Sequence, residues 1–173
     1  MWIRRFIVRL VVFIALLFVL VIAFVYSGIY SVSARYQDNR LVAWALDETM
    51  VHSVERHAQG IKVPPLDDPA MLRRGFAHYR EDCVVCHGAP GIQIGEIGQG
   101  LNPHPSEFVE AAADREANEL FWITRNGIRM TGMPAWGVTQ TDGEIWETVA
   151  FMRTLEFMTP AQYKALGRQV PEE

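Results

Sequence analysis

The chain has 173 residues, of which 50% are apolar and 21% charged, a composition that excludes a disordered chain and leaves room for one compact domain with additional segments. All 20 acidic residues follow Tyr30, whereas only 13 of the 16 basic residues do, which leaves a charge of −7 on this part. That balance argues against nucleic acid and anionic lipid headgroups as partners and is compatible with steering toward a basic protein surface or with a merely soluble surface.

The N-terminal segment is apolar enough to cross a membrane. Residues 10–26 contain no charged or strongly polar side chain, and about 20 such residues span a bilayer core of roughly 30 Å. Arg4, Arg5 and Arg9 precede this run, so the positive-inside rule places the N-terminus in the cytoplasm and the rest of the chain outside. The alternative is a signal peptide cleaved near Ala34, but signal cores run only about 7–15 residues. The sequence therefore predicts an uncleaved anchor over residues 1–34.

Residues 35–66 are predicted to connect this anchor to a compact domain. Apolar residues at helical spacing predict a helix over about residues 40–58, which Gly60 would end. Pro64 and Pro65 then indicate a stiff, extended spacer. His52 and His57 form no metal-ligand pattern and are expected to be exposed.

The compact domain, residues 67–173, is predicted to be all-α. Asp68 and Pro69 indicate the start of a helix that runs directly into Cys83, whereas the glycine- and proline-rich residues 88–105 indicate a loop. Further helices are predicted over about residues 115–125 with Asp114 as cap, from a capping box at Thr141 to about residue 158, and from a second such box at 159–162 to about residue 167. No stretch alternates with the period of a strand. Short helices joined by long loops need a large group to pack against.

The segment Cys83-Val84-Val85-Cys86-His87 is the C-x-x-C-H haem-attachment signature. Two thiols on one helical turn can each bond one former vinyl group of the porphyrin, and the adjacent histidine places a ring nitrogen at the iron. A disulfide would leave His87 unexplained, and a zinc site needs about four ligands. A thioredoxin-like oxidoreductase needs βαβ units that this chain lacks. We therefore expect one covalently bound haem c, with Cys83 and Cys86 as attachment points and His87 as an iron ligand.

The loop from Gly127 to Gly137 contains the expected second iron ligand. Its two methionines offer soft thioethers, which raise the reduction potential and favour electron transfer. Met133 is preferred because its Gly-Met-Pro turn holds the backbone rigidly, whereas Met130 has fewer constraints. His104 is the other candidate, and it would give a bis-histidine haem.

These features resemble the class I c-type cytochrome family in its membrane-anchored bacterial form, over about residues 70–158. The resemblance rests on Gly75, Tyr79, the C-x-x-C-H-Gly segment, Gly-Met-Pro-Ala-Trp at 132–136 and the helix around Phe151. It implies that the first and last helices of the domain cross nearly at a right angle, that Gly75 permits their close approach and that aromatic side chains seal it. It also implies that a proline carbonyl, at position 103 or 105, orients the proximal histidine.

The resemblance implies an electron carrier rather than an enzyme. The expected function is single-electron transfer on the periplasmic side of a bacterial inner membrane, as a subunit of or donor to a respiratory or dehydrogenase complex whose redox partners the sequence does not identify. The connector helix would then contact a neighbouring subunit or the membrane surface. Two alternatives remain open, namely an enzymatic or gas-binding haem without Met133 ligation, and a subunit kept for assembly.

Overall fold

A computed structural model describes residues 2–36, 39–107, 112 and 114–170, which divide into two compact units, Met1–Ser33 and Ala34–Glu173. The first unit contains one helix, α1 (Trp2–Ser27), whose side chains are exposed along its whole length. Its 26 residues would extend about 39 Å, which exceeds the roughly 30 Å of a bilayer core. By length and composition α1 is therefore a candidate membrane span, and an N-terminal signal sequence would have the same properties.

The second unit is built from helices and loops. Within the described residues no strand occurs, and an isolated bridge pairs Ala89 with Ile92. The all-α fold class is therefore confirmed. The helices are α2 (Arg40–Ala58), α3 (Pro69–His78), a π-helical turn (Tyr79–Cys83), α4 (Val84–His87), α5 (Glu96–Gln99), α6 (Ala117–Asn126), α7 (Asp142–Met152) and α8 (Pro160–Gly167), with 3₁₀ turns at Trp136–Val138 and Leu155–Phe157.

The core of this unit lies where α3 packs against α7. A side chain at Gly75 would overlap the backbone carbonyl of Glu147 and would lie 3.0 Å from the Phe151 Cβ, so only glycine allows this approach. Phe76 and Tyr79 both contact Phe151, with ring centroids 5.3 and 5.4 Å away, and all three side chains are buried. The predicted close approach at Gly75 and its aromatic seal are thus present.

Local capping signals determine where three of the helices begin. The Asp68 carboxylate accepts a hydrogen bond from the Ala70 N–H at 2.9 Å, with Pro69 at the first helical position. Thr141 and Thr159 each form a capping box with a residue three positions later. Each cap stabilises its helix by about 1 kcal/mol. These starts agree with the sequence prediction because the signals act within one turn.

Three local predictions were wrong. α6 begins at Ala117, because Glu116 rather than Asp114 caps it through a capping box with Glu119. α7 ends at Met152 rather than near residue 158, because the Thr154 hydroxyl donates to the Phe151 carbonyl at 2.6 Å and the chain tightens into a 3₁₀ turn. The predicted loop over residues 88–105 contains α5, whose Gly98 lies against the Cys86 backbone.

The predicted connector helix is α2, and its C-terminal half packs against α6. Val54 and Ala58 are each 1% exposed, and the Asn118 side-chain amide donates to the Ala58 carbonyl at 3.0 Å. His57 is exposed but stacks on Trp122 with ring centroids 5.4 Å apart. The C-terminal half of α2 is therefore packed on α6 within the second unit. The predicted division of the chain at residues 34 and 66 stays a prediction.

Candidate haem site

The two cysteines and the histidine of the C-x-x-C-H segment lie on the two turns that follow α3, namely the π-helical turn and α4. Cys83 closes the π-helical turn and is 7% exposed, while Cys86 and His87 lie half-buried in α4. Both cysteines are free thiols with no disulfide between them. The segment therefore presents two thiols and one imidazole from a single helical stretch.

A π-helical turn places Cys83 at this point. The Val84 N–H bonds to the Tyr79 carbonyl, five residues back, so one extra residue is accommodated between α3 and α4. The Tyr79 hydroxyl then donates to the Gly88 carbonyl at 2.7 Å, which joins the start of the turn to the residue that follows α4. Sequence periodicity predicted a continuous helix here and contained no signal for the extra residue.

The pKa of the Cys83 thiol helps to distinguish an attachment point from a redox-active dithiol. Burial raises the pKa of the Cys83 thiol to about 12, and the neighbouring Asp82 carboxylate acts in the same direction. Dithiol oxidoreductases instead need a lowered thiol pKa, because the thiolate is their nucleophile. A buried neutral thiol packed against the core fits an attachment point and not a redox-active dithiol.

The backbone orients the imidazole of His87. Its Nδ1 lies 2.9 Å from the Ser106 carbonyl oxygen, so Nδ1 carries the hydrogen and donates it. Burial lowers the pKa of His87, while this hydrogen bond acts in the opposite direction, so the neutral ring is favoured. The ring's lone pair then lies on Nε2, the nitrogen that a metal would use. The predicted acceptors, Pro103 and Pro105, were wrong by one to three positions because the course of this loop is a tertiary feature.

The donor set around His87 fits a haem group. A cavity of about 340 Å³ borders the imidazole on the side of residues 89–94, but neither cysteine nor Met133 lines it, so it does not outline the haem. In the part of the chain that the structure describes, no group of three or more His, Cys, Asp or Glu side chains is placed to hold a metal ion by itself. Two free thiols and a neutral imidazole form a donor set that suits covalently held haem rather than zinc.

The loop containing Met133 is held closed by its own hydrogen bonds. The Thr131 hydroxyl accepts from the Met133 N–H at 3.0 Å and donates to the Ile128 carbonyl at 2.7 Å. The Ile128 N–H in turn donates to the Met133 carbonyl at 3.3 Å. Gly127 has a φ of +64°. It lies so close to the end of the loop that a Cβ added at Gly127 would be 2.7 Å from the Met133 carbonyl oxygen. The Met133 backbone is thus fixed from both sides.

Comparison with known protein families agrees with this geometry. A sequence profile for the family described as cytochrome c oxidase, cbb3-type, subunit III matches residues 70–152, which extend from α3 to the end of α7. Residues 70–152 are therefore a class I c-type cytochrome domain. Such a domain implies haem c as the cofactor and electron transfer as the role. No curated protein sequence matches the chain.

The three candidates for the second iron ligand differ in burial and in how firmly their backbone is held. Met133 is half-buried in the closed loop described above. Met130 is 74% exposed at a φ of +64°, on the outer side of the turn. His104 is exposed in the segment before Ser106. Only Met133 combines partial burial with a constrained backbone.

One further contact links the methionine loop to the attachment segment of the cytochrome. The Gln140 side-chain amide, three residues beyond the loop, donates to the Asp82 carboxylate at 2.7 Å, and both side chains are partly buried. Asp82 immediately precedes Cys83. Sequence reasoning missed this pair, together with Ser106 and Thr131, because none of the four residues belongs to a local motif.

Proposed function

We propose that this protein is a membrane-anchored monohaem c-type cytochrome that transfers single electrons on the periplasmic side of a bacterial inner membrane. The observation that carries the proposal is the C-x-x-C-H turn, with two free thiols and an imidazole whose Nδ1 donates to the Ser106 carbonyl. In this proposal Cys83 and Cys86 form the thioether links, and His87 and Met133 are the axial ligands.

A haem bound here supplies a one-electron Fe(III)/Fe(II) couple. The chain's own contribution is to fix its donors and exclude water. Ser106 holds the His87 ring in one orientation and makes its Nε2 more basic, whereas the Thr131 hydroxyl holds the Met133 backbone. His87 and Met133 would hold the iron, and a thioether ligand would raise its reduction potential and favour electron transfer.

The proposed location rests on α1 and its flanking charges. Arg4, Arg5 and Arg9 lie at the N-terminal end of this exposed apolar helix, and no comparable basic cluster follows it in the sequence. The positive-inside rule then favours a cytoplasmic N-terminus and a periplasmic haem domain.

The proposed partners are proteins of a respiratory or dehydrogenase complex. Support comes from the matched family, which is described as a subunit of an oxidase. The charge of −7 after Tyr30 favours docking to a basic protein surface.

The test of Met133 uses the purified full-length holoprotein. We expect Met133→Leu, which keeps the volume but removes the sulfur, to abolish the weak far-red charge-transfer band of methionine-ligated ferric haem. The reduced variant should bind carbon monoxide, and its reduction potential should fall, because the soft ligand is lost. Absorption spectra and a redox titration measure all three effects.

Met130→Leu is the matched control. Since Met130 is exposed, that variant should keep the band and the potential of the wild type. A wild-type protein without the band, or a Met133→Leu protein that retains it, would contradict the proposed ligation.

The Thr131 hydroxyl offers a second test of the same ligand. Thr131→Val leaves the partly buried Met133 N–H without its acceptor, which costs about 1–3 kcal/mol. Because added imidazole competes with the loop-bound thioether for the iron, its apparent affinity for the ferric protein should rise roughly tenfold for each 1.4 kcal/mol lost. A spectroscopic imidazole titration measures the change.

Thr131→Ser retains the hydroxyl and should bind imidazole like the wild type. Thr139→Val removes an exposed hydroxyl that contacts only the neighbouring turn, and it controls for loss of a threonine as such. Equal imidazole affinities in Thr131→Val and Thr131→Ser would show that the hydroxyl does not hold the ligand loop.

A further inference from the structure

The N-terminal half of α2 is an exposed apolar segment. Residues 41–46 read Leu-Val-Ala-Trp-Ala-Leu, and Leu41, Val42, Trp44 and Leu46 are 68%, 40%, 59% and 43% exposed. The C-terminal half of the same helix is anchored on α6 through Val54 and Ala58. The helix thus has one half packed on the domain and one half uncovered.

The apolar residues of this segment surround the helix. Successive residues in a helix are 100° apart, so six in a row present apolar atoms in every direction. A helix packed on a single protein partner has an apolar stripe on one side, whereas one that is apolar all round is buried on all sides or lies in lipid. The pattern therefore favours a lipid environment over a flat protein contact.

The length and the flanking residues indicate how deep the segment lies. Six residues cover about 9 Å along the helix axis, which is too short to cross a bilayer core, so the segment can reach only the interfacial zone. Trp44 is the residue type that prefers this zone, and Arg40 at the first position can extend its charge toward the headgroups. Asp47 and Glu48 follow directly and begin the polar part of the helix.

The chain keeps this segment near the bilayer. Leu41 follows Ser27, the last residue of α1, by 14 residues, which can extend at most about 50 Å. A segment tethered over this distance meets the membrane surface at a high effective concentration.

We propose that residues 41–46 of α2 insert into the interfacial zone of the outer leaflet of the membrane that α1 spans. The proposal rests on the proposed function in one respect, since it needs α1 as an uncleaved anchor. Because α2 is anchored on α6 at its other end, this insertion would fix the orientation of the haem domain relative to the membrane. The contact is apolar, so it does not need anionic lipid, which the negative charge of this part of the chain disfavours.

The experiment measures the surroundings of two spin labels on one face of α2. The labels are attached to Trp44→Cys and, as the matched control, to Glu55→Cys, which lies three turns further along the same face and is exposed. The full-length reduced holoprotein is placed in nanodiscs of zwitterionic phosphatidylcholine. Accessibility to oxygen, which concentrates in lipid, is compared with accessibility to a water-soluble nickel chelate.

We expect the oxygen-to-nickel accessibility ratio to be several-fold higher at position 44 than at position 55. A label at Leu46→Cys, which keeps Trp44, should behave like position 44. Equal ratios at 44 and 55 would overturn the proposal. Exclusion of both reagents at 44 would also overturn it, since that result indicates a protein contact such as a second copy of this chain.

Two further readouts distinguish failure of the proposed function from failure of the insertion proposal. If Cys83 and Cys86 are not consumed by haem attachment, each variant takes up three labels instead of one. If α1 is not an anchor, the protein does not remain with the nanodiscs. Only a singly labelled, disc-bound protein tests the insertion of residues 41–46.

Discussion

Gly75→Ala is expected to destabilise the second unit by about 3 kcal/mol or more and to lower the yield of haem-loaded protein. The new methyl group would overlap the Glu147 backbone carbonyl. Because this carbonyl belongs to the backbone in the middle of α7, it cannot rotate away as a side chain could. Relief requires α3 and α7 to separate, and overpacking of this kind costs 1–3 kcal/mol, occasionally more. The separation would also loosen the contacts of Phe76 and Tyr79 with Phe151.

Thermal unfolding followed by circular dichroism, together with haem content per chain, measures this effect. At 3 kcal/mol the midpoint should fall by roughly 10 °C. Gly143→Ala is the matched control, because it lies in the first turn of α7 with its nearest atom, the Thr141 Oγ1, at 3.7 Å. That variant should be neutral or slightly stabilising, since alanine favours the helix by about 0.5–1 kcal/mol. Similar midpoints in both variants would refute the tight contact at Gly75.

Gly127→Ala should open the methionine loop and abolish the far-red band of the ferric holoprotein. Two costs combine at this position. A side chain at a φ of +64° is strained by about 1–2 kcal/mol, and its Cβ would lie 2.7 Å from the Met133 carbonyl oxygen and 2.8 Å from the Ala135 nitrogen. Because the obstructing atoms are backbone atoms of the ligand loop itself, the strain is relieved by displacing Met133.

Gly60→Ala separates these two costs. Gly60 has a φ of +82° but nothing within 4 Å of the Cβ position, so its variant has the backbone strain without the overlap. It should lose about 1 kcal/mol of stability and keep the far-red band. If Gly127→Ala also keeps the band, the loop does not hold the iron ligand in the way proposed.

The two glycines illustrate different relations between sequence and structure. The role of Gly75 was predictable because the resemblance to class I cytochromes placed it at a helix contact, and the structure has that contact. From the sequence, Gly127 was placed only at the start of the methionine loop. Its second role, making room for the Met133 backbone, depends on a loop that returns to it after six residues.

The histidine shows the same limit. The C-x-x-C-H spacing identified His87 as a candidate ligand, because that chemistry is contained in five consecutive residues. The residue that orients its ring lies 19 positions away, and the acceptor is Ser106 rather than Pro103 or Pro105. No local pattern distinguishes one backbone carbonyl from the next.

The sequence by itself determined the all-α class, the cytochrome family, and the starts of the capped helices at Asp68, Thr141 and Thr159. Those features depend on periodicity, motif spacing and hydrogen bonds that span at most one turn. Only the tertiary structure decided the π-helical turn before Cys83, the early end of α7, the acceptor at Ser106 and the docking of α2 on α6. The first two depend on local hydrogen bonds that no residue pattern distinguishes from those of a continuous helix. The last two join residues 19 and 60 positions apart, so the energies that select them appear only when distant segments meet.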